Sequence, residues 1–205
     1  MEQQIKFYDR AYILSLFTIF YNCVEGIISI ILGYQDQTLT LFGFGIDSFI
    51  EVISGIGIAV MIIRIRLNPD TMINKFEITA LKITGIAFYL LSAGLLFGIV
   101  SNIVNHHKPE TTFWGIIISL VSIIVMTWLF ISKKRVGDQL NSDAILSDAG
   151  CTKICIYMSV VLLVSSLIYE LTGFIYADSI GTLGLIYFSL SEGKEAFEKA
   201  VKKQY

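Results

Sequence analysis

The chain has 205 residues, of which 55% are hydrophobic and only 16% carry a charge, and its mean hydropathy is +0.71. One soluble core cannot bury that share of apolar side chains, so the composition excludes an ordinary soluble domain and indicates a membrane protein. The formal net charge of −2 and the lack of any basic stripe argue against nucleic acid as a partner.

Six apolar blocks follow one another along the chain, each long enough to cross ~30 Å of hydrocarbon, which takes about 20 residues. We therefore predict an all-α polytopic membrane protein, built as one membrane domain with no C-terminal cytoplasmic domain. The first block is too long for a signal peptide and lacks a cleavage site, so we expect it to be retained. The six predicted helices span residues 11–33, 39–65, 78–104, 112–132, 140–172 and 175–197.

The positions of Lys and Arg predict the orientation, because cytoplasmic loops hold the excess of positive residues. Basic residues precede the first block, follow the second and fourth blocks and close the chain, at Lys6, Arg10, Arg64, Arg66, Lys75, Lys133, Lys134, Arg135, Lys194, Lys199, Lys202 and Lys203. The opposite connections hold only Lys108, beside His106 and His107, two adjacent imidazoles that lack the closed ligand set of a metal site. We expect both termini in the cytoplasm and the chain in the plasma membrane of a prokaryote.

Ionisable groups inside membrane helices cost about 2.5–3.5 kcal/mol each on insertion scales, so each needs a partner or a purpose. The strongest signal is Asp47 with Glu51, which are four residues apart and share one face of the second helix. A bound divalent cation is the most economical explanation for two like charges held together. The alternatives are that one carboxyl is protonated, or that both bond to a neighbouring helix.

The fifth helix carries a matching pair, because Cys151 and Cys155 are also four residues apart. At 1.5 Å per residue, both pairs fall near the midplane of a ~30 Å core. Two carboxylates and two sulfurs have the ligand number of a tetrahedral zinc site, and they also suit cadmium or another thiophilic metal. Taken alone, the cysteines are better explained as small buried hydrophobes.

The sequence around these pairs resembles the transmembrane domain of the cation diffusion facilitator family. That family carries two metal ligands four residues apart in helix 2, where Asp47 and Glu51 fall. The segment SDAGCTKIC, residues 147–155, falls on the family's helix 5 frame Ala-Asp-Ala-x-His-x-x-x-Asp, so cysteines replace the family's His and Asp. The segment FIYADSIG, residues 174–181, is similar to the aromatic-rich turn and Asp-Pro-x-Gly motif at the start of helix 6.

The resemblance implies a secondary transporter that exports a divalent metal, zinc above all, in exchange for protons. It also implies a homodimer, formed through membrane helices, whose metal is a substrate rather than a prosthetic group. Two other functions stay open: a membrane metal sensor or assembly partner that does not transport, and a thiol redox protein. The redox alternative is weaker, because Cys151 and Cys155 are poorly placed for a disulfide on one helix. No motif of an enzyme is evident, and we expect none.

Other polar residues of the predicted helices have two interpretations each. Glu25 either relays protons near the site or pairs with Lys82 or Lys153. Asp148 lies three residues before Cys151 and is either an accessory ligand or a cap for polar groups at the inner end of the fifth helix. We expect Lys153 to point away from the cysteines and to balance an acid.

Overall fold

A computed structural model of the chain describes residues 2–67, 74–104 and 109–202, and these residues form six α-helices without a strand. The helices are α1 (Glu2–Gln35), α2 (Leu39–Leu67), α3 (Asn74–Val104), α4 (Phe113–Leu140), α5 (Asp143–Thr172) and α6 (Ala177–Lys202). The prediction of an all-α chain is confirmed. His106 and His107 lie outside the described residues.

Five of the six helices, α1 to α5, are long and apolar enough to cross a membrane. Their outward surfaces carry large apolar side chains that only lipid or another apolar surface can cover, among them Phe20, Leu90, Phe97 and Ile124. The more polar α6 buries its acids Asp178 and Glu192 inside the bundle, so these two charges do not face the lipid. The chain is a polytopic integral membrane protein.

The fourth helix is longer than the sequence predicts. We expected it to end at residue 132, with Lys133 in a basic loop, and that is wrong, because α4 continues to Leu140. Lys and Arg are good helix formers and do not stop a helix. The helix ends where Asn141 adopts a left-handed conformation, with φ 48° and ψ 42°, and its N–H bonds back to the last turn. Lys133 therefore lies inside α4 and faces the protein.

The first two helices pack against each other at very short range, through glycines on both sides. A Cβ atom on Gly33 would stand 2.5 Å from the backbone nitrogen of Phe42, and one on Gly45 would stand 2.8 Å from that of Ile30. No larger side chain fits at either position without moving the backbone. Small residues allow this close approach of membrane helices, and it fixes the rotation of α2, which carries Asp47.

One end of the bundle, which we call the loop end, contains the connections 36–38, 109–112 and 173–176. Hydrogen bonds join the first two of these connections: the Glu110 N–H donates to the Asp36 carbonyl at 2.9 Å, and the Thr38 hydroxyl donates to the Thr111 carbonyl at 3.1 Å. The opposite end, the termini end, contains an apolar cluster of Ala11, Met61, Ile62, Val136 and Ile145. The candidate site lies between these two ends.

Candidate metal site

The two predicted ligand pairs meet where α2 faces α5. Asp47 and Glu51 are buried on α2, with 2% and 3% of their surfaces exposed, and Cys155 is buried on α5. The Cys155 thiol donates a hydrogen bond to Oδ2 of Asp47 at 3.5 Å. A sulfur donor from one helix and an oxygen donor from the other are therefore in direct contact inside the membrane domain.

A small cavity lies at this contact, with a volume of about 10 Å³. All four predicted ligands line it, together with Glu192 from α6. The rest of the wall is mostly apolar and consists of Ile50, Ser54, Phe88 and Ile154. This volume is about one water-sized sphere, so the cavity fits a single small ion and no organic substrate.

Glu51 is only half satisfied in its buried position. Its Oε1 accepts a hydrogen bond from the Thr152 hydroxyl at 2.9 Å, whereas its Oε2 is buried without a hydrogen-bond partner. Buried polar atoms nearly always have partners, and leaving one unmet costs ~1–3 kcal/mol, so such an atom calls for an explanation. A carboxylate oxygen free to accept beside a small cavity is suited to bind a cation or a proton.

The donors share the cavity without surrounding one point. Among the described residues, no three side chains of His, Cys, Asp or Glu stand close enough to hold one metal ion together. Each acid instead bonds to α5, Asp47 through Cys155 and Glu51 through Thr152. Completing a coordination sphere would take side-chain rotation or a small shift of α5 against α2.

A buried ion pair that the sequence analysis missed lies next to the cavity. The Lys133 Nζ atom is 2.8 Å from Oδ2 of Asp148 and donates to the Thr152 hydroxyl at 2.9 Å, and Lys133 is only 2% exposed. The Ser54 hydroxyl donates to the other carboxylate oxygen of Asp148 at 3.0 Å. Both oxygens of Asp148 are therefore engaged, and Asp148 does not line the cavity.

The spacing of buried residues along α4 could have identified Lys133. The buried side chains of this helix recur every three or four residues and include Ser122, Met126, Leu129, Lys133 and Val136. That spacing places Lys133 on the face that packs into the bundle. The wrong helix end at residue 132 hid this signal, because it removed Lys133 from the pattern.

Glu25 and Lys153 do not pair. The Glu25 carboxylate accepts hydrogen bonds from the Tyr21 hydroxyl at 2.7 Å and from the Ser48 hydroxyl at 3.2 Å. Lys153 is exposed, with its Nζ 5.6 Å from the centre of the Tyr157 ring, and Lys82 is also exposed. In the described part of the chain, hydroxyl groups rather than a lysine therefore satisfy Glu25.

Another buried acid, Asp178, has a structural role at the loop end. Its two carboxylate oxygens accept hydrogen bonds from the backbone N–H groups of Leu39 at 3.0 Å and Thr40 at 3.1 Å. These N–H groups belong to the first turn of α2 and have no partner within the helix. The carboxylate of Asp178 on α6 thus caps the N-terminus of α2. Its negative charge also interacts favourably with the positive end of the α2 dipole.

Acids buried inside membrane helices often mark ion pathways, so acids and thiols around a cavity of ionic size are typical of membrane proteins that handle ions. Over residues 11–203 the chain matches the cation efflux transmembrane domain, and it belongs to the cation efflux family. This confirms the resemblance to the cation diffusion facilitators, whose members are transporters and not enzymes.

A transporter from an archaeon is similar to this chain. It is an uncharacterized transporter of Methanocaldococcus jannaschii, 28% identical over 182 residues, and the alignment covers 86% of this chain and 62% of the relative. The chain therefore spans about three fifths of the length of that relative. Residues 11–203 therefore form a cation efflux transmembrane domain.

Proposed function

We propose that the protein is a secondary transporter that exports a divalent metal cation, with zinc as the leading candidate, in exchange for protons. Asp47, Glu51, Cys151 and Cys155 bind the ion. The observation that supports this most is that thiols and carboxylates from two helices line one cavity of about 10 Å³, with an oxygen of Glu51 unpartnered. Two carboxylates and two thiolates suit zinc, cadmium or another thiophilic metal.

The contact between Cys155 and Asp47 suggests how metal and protons are coupled. Without metal, the thiol proton lies between sulfur and carboxylate oxygen. A metal binds only the deprotonated thiolate, so its arrival must release that proton. The ion and the proton then compete for the same two atoms, and each turn of the transport cycle exchanges one for the other across the membrane.

The charge distribution supports an orientation with both termini in the cytoplasm of a prokaryotic cell. Lys133 no longer counts toward this bias, because it is buried and paired, but Lys134 and Arg135 remain exposed at the termini end. Metal would enter from that end and leave at the loop end. A homodimer formed by the apolar outer faces of the helices completes the proposal.

Metal flux into proteoliposomes tests this function. With an acidic interior, wild-type protein should take up zinc faster than at equal pH while the interior becomes more alkaline. Asp47→Asn should reduce uptake by about 10–100-fold, because the site loses a charged ligand. The control Glu110→Gln changes an exposed acid of the loop end and should transport as the wild type does.

Two other results would contradict transport. Zinc binding that is intact, with no flux under any proton gradient, would favour a membrane metal sensor or assembly partner. Flux that is independent of Asp47 would place the ion elsewhere. Repeating the assay with cadmium, cobalt, manganese and iron would rank the substrates, and we expect the thiophilic ions to lead.

A further inference from the structure

Glu192 of α6 lines the same cavity as the four predicted ligands. It is only 5% exposed, so its side chain is buried inside the bundle. Its neighbour Gly193 packs against α3, where a Cβ atom would come within 3.4 Å of Phe88 and Tyr89. Consecutive helical residues point about 100° apart, so this tight α3–α6 contact turns Glu192 toward the cavity.

The partners of Glu192 differ from those of the acids that have structural roles. Asp178 caps backbone N–H groups, and Asp148 pairs with Lys133. Among the described residues, no lysine or arginine forms an ion pair with Glu192, and Lys199 of the same helix pairs with Glu195 at 2.6 Å. Glu192 instead lines the cavity together with Cys151, one of the predicted ligands.

The balance of charge around the cavity points to a cation from outside the protein. Asp47, Glu51 and Glu192 bring three carboxyl groups to it, and Lys133, the one buried lysine or arginine among the described residues, is engaged by Asp148. The Oε2 atom of Glu51 is also buried without a partner, and burying an unpartnered charge is costly. Bound protons or a bound metal ion must supply the missing positive charge.

We infer that Glu192 is a further ligand of the transported metal, so that α2, α5 and α6 all contribute to one site. This inference rests on the proposed function. A third carboxylate adds a hard oxygen donor to the two sulfurs, which favours zinc over softer ions relative to a site of the four predicted ligands alone. Bound metal would also join Glu192 of α6 to the ligands of α2 and α5.

Metal affinity of the purified protein in detergent tests this role, measured by competition with a chromophoric zinc chelator. Glu192→Gln keeps the size of the side chain and removes its charge, and it should weaken zinc binding about 10–100-fold. Cadmium should be less affected than zinc, since the two sulfurs remain. The matched control Glu195→Gln removes an exposed acid of the same helix and should leave both affinities unchanged.

Two further readouts separate a ligand from a structural residue. The thermal unfolding midpoint without metal should be unchanged or higher in Glu192→Gln, whereas the upward shift on adding zinc should shrink. The thiolate-to-cadmium charge-transfer absorption should persist in Glu192→Gln, because the sulfur ligands are intact. A lower midpoint without metal, with an unchanged zinc shift, would overturn the ligand role.

The outcome for Asp47→Asn distinguishes this inference from the proposed function. If zinc binding falls in Asp47→Asn and stays at the wild-type value in Glu192→Gln, the site stands and Glu192 is not part of it. If the wild type binds no zinc, cadmium, cobalt, manganese or iron, both proposals fail. If both variants bind more weakly and Glu195→Gln does not, both are supported.

Discussion

Asp178 at the loop end and Glu51 at the central cavity are both acids buried in the same bundle, yet their surroundings differ. Two backbone N–H groups meet both carboxylate oxygens of Asp178. Glu51 has one hydroxyl partner and one oxygen with none. Burial of an acid in a membrane protein therefore does not by itself identify a transport site, whereas an unmet oxygen beside a cavity points to one.

Asp148 shows a third way in which a buried carboxylate is accommodated in this bundle. Lys133 neutralises its charge and Ser54 satisfies its second oxygen, so the pair is neutral as a unit. Through Thr152, the same lysine also reaches Glu51, since the Thr152 hydroxyl accepts from Lys133 and donates to Glu51. The ion pair thus supports the site without lining its cavity.

The largest effect on stability is expected for the ion pair. Lys133→Met leaves Asp148 buried without its counter-charge and should lower the free energy of unfolding by about 3–5 kcal/mol. Adding Asp148→Leu in the same chain removes the stranded charge and should recover most of that loss. Thermal unfolding in detergent measures both variants. A double variant as unstable as the single one would mean that Lys133 acts by packing rather than by charge.

A smaller effect is expected when the cap of α2 is removed. Asp178→Ala leaves the N–H groups of Leu39 and Thr40 without acceptors, which should cost about 2–4 kcal/mol. The matched change Asp47→Ala removes an acid of the same size at the site, and there the loss should be smaller, because no backbone donor is stranded. Equal losses of thermal stability in the two variants would break the contrast between structural and functional acids.

The smallest effect is expected at Asp36, which lies in the α1–α2 connection outside the spanning helices. Burial, and then the negative charges of Glu110 and Glu170, raise the pKa of Asp36 in the folded state. An acid with a raised pKa stabilises the fold fully below its unfolded pKa and loses that contribution as pH rises through the folded pKa.

The substitution Asp36→Asn should therefore stabilise the protein relative to the wild type at neutral pH and not at strongly acidic pH. The gain should be on the order of tenths of a kcal/mol, since solvent screens this loop. Unfolding midpoints of both chains across that pH range measure the difference. A gain of the same size at every pH would rule out ionisation of Asp36 as its cause.

The contrast between α4 and α2 explains which expectations were met. In α2 the polar residues stand out against apolar neighbours, so Asp47 and Glu51 are visible as a pair on one face without any structure. In α4 a basic cluster at the helix end looked like a loop, although Asn141 ends the helix two turns later. A hydropathy boundary marks where a membrane ends, whereas backbone caps mark where a helix ends, and the two need not coincide.

The sequence by itself determined that this is a membrane protein, where its apolar helices lie and which two residue pairs are candidate ligands, because helical periodicity and the cost of charge in lipid are local properties of the chain. Only the tertiary structure decided which of the buried acids are satisfied. Helix packing brings Asp178 against α2, Lys133 against α5 and Glu192 to the cavity. Their partners are far away in the sequence, so local patterns do not reveal these contacts. Periodicity gives the face of a helix, and packing decides what that face contacts.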